Sequence, residues 1–220
     1  MVYSKTAGAD RIAKRLSIGE TMKEQCMGAS PQGIVGRILG LIMNSIHDRQ
    51  YLRIIRDLRD TESGGPFNIL DLGCGGGIAV RHFSRVFGEA HVYGVDRSPD
   101  MVDLARRVNA EGVRRGTVEI LQGDAESLPL PDSCVRIVGV FDTINFWENH
   151  GLAFSEIWRV SAEDGIIVIV NGYPEKGTKW YDFVKFKNAE EYKKLLSGAG
   201  FETVEYVIRN HTIVIKAKKL

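Results

Sequence analysis

Between residues 33 and 60 the apolar positions recur every three or four residues. Ile34, Val35, Ile38, Leu39, Ile42, Met43 and Ile46 fall on one side of a helical projection. After a polar interval, Leu52, Ile55 and Leu58 form a second stripe with Arg and Asp opposite. The spacing predicts two amphipathic helices, 33–46 and 49–60, within a helical amino-terminal cap covering residues 1–62. The breaker cluster Glu62-Ser-Gly-Gly-Pro66 ends it. Beyond the cluster, short apolar runs at 67–72, 91–95, 118–121, 135–141 and 166–170 alternate with helical stretches at 78–87, 99–115 and 151–162. The second of these helices opens with Ser98 as a cap and Pro99 at the first helical position. Strands alternating with helices require a mostly parallel sheet covered on both faces. After residue 170 the pattern changes to a helix over 188–199, closed by Gly198 and Gly200, and then two β-rich runs, 202–208 and 212–218, around Arg209-Asn-His211. That spacing predicts a hairpin, so the sheet of the 63–220 region should finish with an antiparallel carboxyl-terminal strand. The expected architecture is α/β, doubly wound and seven-stranded, with a helical cap belonging to the same domain.

Composition narrows the compartment and the partners. The chain has 220 residues, 29 basic and 28 acidic side chains for a net charge of +1, and 44% hydrophobic residues. A single domain of this length buries about 70% of the surface its unfolded chain exposes, and needs no disulfide or metal to hold its shape. Cys26, Cys74 and Cys134 lie far apart without a Cys-x-x-Cys pair, which points to a reducing compartment and away from a structural zinc site. No metal site is expected. The balanced charge argues against nucleic acid as partner. The apolar stretch 33–46 is interrupted by Gly36, Arg37 and Gly40 and is too short to cross a bilayer. The first residues carry no export signal, so a cytoplasmic location without membrane insertion is expected.

The chemistry concentrates where strands end. In Ile69-Leu-Asp-Leu-Gly-Cys-Gly-Gly-Gly77 an apolar strand runs into a glycine-rich turn and then a helix. Such a turn lets a ligand approach the backbone closely. Counting from Gly73, the third glycine of a dinucleotide fingerprint is replaced by Ile78, and Asp71 stands two residues before the turn. A carboxylate at that mouth repels a pyrophosphate and suits a cationic group such as an amino-acid ammonium. Asp96 ends the second strand about 20 residues on, where an acid accepts hydrogen bonds from ribose hydroxyls. Asp124 and Asp142 close the third and fourth strands. Singly, each is also an ordinary turn residue; together they surround the crevice where doubly wound sheets bind ligands.

Five ordered motifs within residues 65–172 then resemble the class I S-adenosylmethionine-dependent methyltransferases, in particular the methyltransferase type 11 group with its ubiquinone/menaquinone-biosynthesis-like enzymes. They are Asp71-Leu-Gly-Cys-Gly-Gly-Gly77, Gly94-Val-Asp96-Arg-Ser-Pro-Asp-Met101, Gly123-Asp-Ala-Glu-Ser-Leu-Pro129, Asn145-Phe-Trp147 and the Glu156-Ile-Trp-Arg-Val160 helix before Gly165. The resemblance implies a Rossmann-like fold and S-adenosyl-L-methionine as cofactor. It places Asp71, Gly73, Cys74, Gly75 and Gly77 at the methionine portion, Asp96 at the ribose, and Asp124 at the adenine amino group. It places the Ala125 amide at the adenine ring, Arg97 and Met101 flanking that ring, and Phe141 and Asp142 near the sulfonium.

Methyl transfer from a sulfonium is a direct displacement that asks for alignment and desolvation, with a general base optional. Substrate-side candidates are Asp142, Asn145, Trp147, Glu148 and Tyr173, in the loops after the fourth and fifth strands. His47, on the amino-terminal helical segment, is a further possibility, though a histidine there is more often a surface helix residue, and His82, His91 and His211 receive no role. Tyr173, Trp180, Tyr181 and Phe183 in the 172–186 loop either receive a partly apolar small molecule or only pack the loop onto the sheet. Asp142-Thr-Ile-Asn145 lacks the Asn/Asp-Pro-Pro-Tyr pattern of adenine-N6 or glutamine methyltransferases, and Gly172 stands where a catechol-type magnesium site would need a second acid. An arsenite-type enzyme would need several exposed thiols, and only Cys26 is left for that. A noncatalytic S-adenosylmethionine-binding protein keeps the same motifs and stays open, as does a homodimer. A nicotinamide-dependent oxidoreductase is disfavoured by Ile78, and an RNA or protein acceptor would need a basic rim.

Overall fold

The computed structural model describes residues 33–61, 67–173 and 175–220. The rest of the expected cap, the breaker cluster and Cys26 lie outside the described residues, as does the side chain of Trp180. The two amino-terminal helices expected from the sequence are one, α1, Gly33–Thr61. The polar interval between the two stripes contains neither Gly nor Pro, so nothing there stops helical hydrogen bonding.

Five parallel strands follow: β1 (Asn68–Leu72), β2 (His91–Asp96), β3 (Val118–Gln122), β4 (Val135–Phe141) and β5 (Ser161–Gly172). Between them lie α2 (Ile78–Val86), α3 (Pro99–Val108), α4 (Ala110–Arg115) and α5 (His150–Val160). The 99–115 stretch is thus two helices. Asn109 stands between them and donates its side-chain amide to the carbonyls of Ala105 and Gly77, each at 2.9 Å. A side chain that competes for backbone carbonyls in this way interrupts a helix. The short helix α6 (Lys179–Phe183), then α7 (Ala189–Gly198) and the hairpin β6 (Phe201–Arg209) and β7 (Thr212–Lys219) complete the chain. The hairpin turn places Asn210 and His211 at φ of 50° and 56°, the mirror-image turn that suits the twist of the strands it joins.

The sheet order is β3-β2-β1-β4-β5-β7-β6, with β7 antiparallel to both of its neighbours. Strand residues alternate between two cores. Leu70, Val138, Ile167 and Ile215 face α5 and α7 with Phe154, Tyr192 and Phe201. Ile69, Val92, Ile137 and Val168 face α1 and α2 with Ile55, Tyr51 and Phe83. α1 packs against α2 and α3, and at Gly40 an added Cβ would lie 2.9 Å from Leu104 and 3.1 Å from the Met101 sulfur. This close approach holds α1 beside the carboxyl ends of the strands.

Candidate functional site

Consecutive strands lead outwards in opposite directions from β1 and β4, which makes that pair the switch point of the sheet. A cleft opens there, beyond the carboxyl ends of the strands, as the doubly wound topology requires. β1 delivers Asp71 and the glycine turn, β2 delivers Asp96 and Arg97, and β3 leads into Asp124 and Ala125. β4 delivers Phe141 and Asp142, and α1 forms one wall with Met43, Asn44, His47 and Tyr51.

The glycine turn is fixed by backbone bonds. The N–H groups of Gly73 and Cys74 both donate to the Val95 carbonyl, at 2.8 and 3.0 Å, and the Gly75 N–H donates to Asp96 Oδ2 at 2.8 Å. Gly73 has φ of +73°, and a Cβ on it would lie 2.1 Å from the Thr143 hydroxyl oxygen. Gly77 also has positive φ, +80°, but does not line the cleft: its added Cβ would lie 2.8 Å from the Ala105 Cα. That glycine lets α2 start against α3, so its requirement comes from helix packing.

Asp71 is 1% exposed. The Val80 amide hydrogen-bonds to it, while its Oδ2 has no partner. Burial first, and then the negative charge of Asp96, push its carboxyl up to about 8. An unpartnered carboxyl oxygen at the floor of a cleft is the acceptor that a ligand ammonium would complete. Asp96 Oδ1 accepts the Ser98 N–H at 2.9 Å, and its Oδ2 accepts that of Gly75. Burial raises its carboxyl, and these two amides draw it back. Each oxygen keeps a second lone pair for hydroxyl donors. Asp124 is exposed, with Oδ1 accepting the Glu126 N–H at 3.1 Å, and Ala125 is buried beside it. Met101 packs under Gly40 and still lines the cleft. Arg97 stands 3.8 Å from the exposed Glu148, an ion pair of little energetic weight. Cys74 is buried, and desolvation, followed by Asp96 and Asp71, pushes its thiol well up. It stays protonated and is no nucleophile.

At the other end of the cleft Phe141 is packed between Tyr51 and Phe83, with ring centroids 4.7 and 5.8 Å away. Trp147 lines the cleft and rests on Phe154, and Phe146 lines it with Phe183 of α6 behind, 5.5 Å between ring centroids. Two substrate-side candidates are held elsewhere. Asn145 donates to Asn171 Oδ1 at 3.2 Å and accepts the Lys185 N–H at 3.0 Å, and Asn171 in turn donates to the Tyr192 hydroxyl at 2.7 Å. This buried chain ties the loop after β4 to β5 and α7. Tyr173 packs against the core on the α5 and α7 side and does not line the cleft. In the 172–186 loop, Phe183 therefore supports the cleft through Phe146, while Phe186 packs on His150 and Tyr192.

His47, a further possibility from sequence, is part of the cleft wall, and so are Asn44, Tyr51 and Thr143, which the sequence did not single out. Asn44 donates to the Gly76 carbonyl at 2.9 Å, and the Tyr51 hydroxyl donates to Asp142 Oδ2 at 2.8 Å. For Asn44, His47 and Tyr51 the only signal in the chain is their three- and four-residue spacing along α1, and Thr143 has none beyond its place in the loop after β4.

Residues 70–169 match the family described as a methyltransferase domain. Among curated proteins, the chain is 33% identical over 110 residues to malonyl-[acyl-carrier protein] O-methyltransferase of Halorhodospira halophila, covering 50% of this chain and 36% of that protein. It is 26% identical over 168 residues to demethylmenaquinone methyltransferase of Chlorobaculum tepidum, covering 63% of this chain and 66% of that one. The chain thus spans between about a third and two thirds of these relatives' lengths. Among solved structures, a putative S-adenosyl-L-methionine-dependent methyltransferase from Methanococcus maripaludis superposes with a TM-score of 0.70 at 19% identity, over 86% of this chain and 95% of that one. At that identity the likeness speaks for the fold.

Proposed function

We propose that this chain, a class I methyltransferase by its matched domain and its fold, transfers a methyl group from S-adenosyl-L-methionine to a small-molecule acceptor. The observation that carries the proposal is the pairing of Asp71 and Asp96 on one cleft. Asp71 offers a buried, unpartnered oxygen for the methionine ammonium, and Asp96 sits 21 residues beyond the Gly75 amide that it holds, with lone pairs left for the ribose. Asp124 and Ala125 would take the adenine, between Arg97 and Met101. Phe141 and Asp142 would adjoin the sulfonium, which supplies an electrophilic methyl when bound. The protein's part is to orient, to exclude water with the wall of α1, and to leave the acceptor desolvated beside Phe146 and Trp147.

The acid-lined floor disfavours the pyrophosphate of a nicotinamide cofactor. Among the described residues no helix is long and apolar enough to cross a membrane. The free thiols Cys74 and Cys134 support a reducing, cytoplasmic setting.

The test is a thermal-shift series with S-adenosylmethionine, S-adenosylhomocysteine, NAD and NADP. A ligand at 100 times its dissociation constant stabilises the folded state by about 2.7 kcal/mol. A raised midpoint with the two adenosyl compounds alone supports the assignment, and a shift with the nicotinamides alone overturns it. Asp96→Ala should weaken binding of S-adenosylhomocysteine by about 1–3 kcal/mol, because the ribose hydroxyls lose their acceptor. Calorimetry giving the wild-type affinity for a folded Asp96→Ala protein would remove Asp96 from the site.

A further inference from the structure

The acceptor end of the cleft holds a set of side chains gathered around Asp142, the residue that would adjoin the sulfonium. Asp142 follows β4 on a left-handed backbone, φ +53°. Its Oδ1 accepts the Gly172 N–H at 2.8 Å, and its Oδ2 accepts the Tyr51 hydroxyl at 2.8 Å. His47 brings Nδ1 to 3.6 Å from the same Oδ2, with its ring stacked on Tyr51 at 5.0 Å between centroids. The carboxylate is thus held from two sides, and it faces an imidazole that is 25% exposed on the cleft wall.

The charges of the cleft select among acceptors. Its described lining carries Asp96, Asp124 and Asp142, together with an Asp71 that burial keeps protonated in the ligand-free protein, against Arg97 as the sole permanent cation, and Arg97 is beside Glu148 at the adenine end. A carboxylate acceptor would enter next to Asp142 and meet no cationic side chain of the described lining, so only the sulfonium of the bound donor would offset its desolvation. A neutral hydroxyl meets no such penalty, but it must give up a proton to react well, and an imidazole is a base of suitable strength for a phenol-like hydroxyl. Phe146 and Trp147 supply walls for an aromatic ring.

We propose that the acceptor is a neutral, phenol-like hydroxyl compound and that His47, beside Asp142, is the catalytic residue that takes its proton. This rests on the methyl-transfer reading above. The acceptor oxygen forms its bond to the methyl carbon as the carbon–sulfur bond breaks. The bonding pair stays on sulfur as a thioether, and the hydroxyl proton passes to the imidazole, whose new positive charge Asp142 balances. Tyr51 is no competitor for the proton, since burial and the adjacent Asp142 keep its own hydroxyl protonated. The other ionisable groups around the cleft are Asp71, Asp96, Asp124, Cys74 and Arg97.

The experiment supplies S-adenosylmethionine with 4-methylphenol or octanoate and follows the methylated products by mass spectrometry. It uses wild type, His47→Gln, His47→Ala and Asp142→Asn, after calorimetry has shown that each binds S-adenosylhomocysteine. The expected products are the aryl ether and no methyl octanoate, at a wild-type rate that climbs with pH to a plateau. His47→Gln should lower kcat by about 10²–10⁴-fold with KM nearly unchanged and lose the climbing limb. Added imidazole should restore part of the activity of His47→Ala, which a packing role would not allow. Methyl octanoate as the main product, wild-type turnover by His47→Gln, or no aryl ether from protein that binds the cofactor would each overturn the proposal. Wild-type protein that binds no adenosyl compound would instead overturn the methyl-transfer reading on which it rests.

Discussion

Asp71→Asn is expected to stabilise the ligand-free protein at neutral pH while weakening its hold on S-adenosylmethionine by roughly thirty- to several-hundred-fold. Both effects follow from one buried carboxyl. In the folded chain Asp71 keeps its proton up to about pH 8, whereas an unfolded aspartate releases it near pH 4. Between those values the folded state binds one proton more than the unfolded state, so stability falls as pH rises through that window. The contribution is fully present below about pH 4 and is lost by the time pH passes 8. An asparagine has no proton to lose, and the slope should flatten, leaving the variant more stable at pH 8 by an amount on the order of a few kcal/mol. Thermal midpoints of the two ligand-free proteins from pH 4.5 to 8.5 make the check, and parallel curves would show that Asp71 does not titrate in this way. Binding supplies a second check. An ammonium arriving at Asp71 favours the ionised carboxylate, so the wild type should release close to one proton at pH 7, measured by calorimetry in buffers of different ionisation enthalpy. Asp71→Asn should release none.

Gly77→Ala should separate folding from binding. At φ +80° an alanine carries a left-handed penalty of about 1–2 kcal/mol. Its methyl group would also press against the Ala105 backbone at 2.8 Å, and overpacking adds about 1–3 kcal/mol. The neighbour is main chain inside α3 and cannot swing away as a long side chain would. The folded state should therefore lose roughly 2–5 kcal/mol, read as a lowered urea midpoint at an unchanged m-value. The fraction that stays folded should bind S-adenosylhomocysteine close to normally, since Gly77 does not line the cleft. A variant of wild-type stability that binds poorly would return Gly77 to the ligand site.

The sheet and its direction could be read from the chain because burial on both faces leaves an unbroken apolar run in each parallel strand, as in Val135–Phe141. The acids were equally legible. A parallel strand ends where its apolar run ends, so Asp71, Asp96, Asp124 and Asp142 could be assigned to one rim before any coordinates. The wall opposite them was not legible. His47 and Tyr51 reach Asp142 from about 90 residues away, and a helix stripe states only that some face is buried, without saying which residue at its edge meets a ligand. The helix itself reads as two at a run of polar residues, although a polar run without Gly or Pro interrupts no helix. Asn145 shows the opposite failure. A polar residue just past a strand end looks available, yet here the Lys185 amide and Asn171 occupy both ends of its side chain.

The left-handed backbone at Asp142 also bears on how this cleft can change over generations. Glycine, asparagine and aspartate sit most readily at such a φ, and a single nucleotide change converts an aspartate codon into either of the other two. An asparagine there could still accept the Gly172 N–H, and the Tyr51 hydroxyl can rotate to accept from its amide. Lineages descended from this chain can therefore discard the negative charge beside the acceptor in one step with the turn left standing.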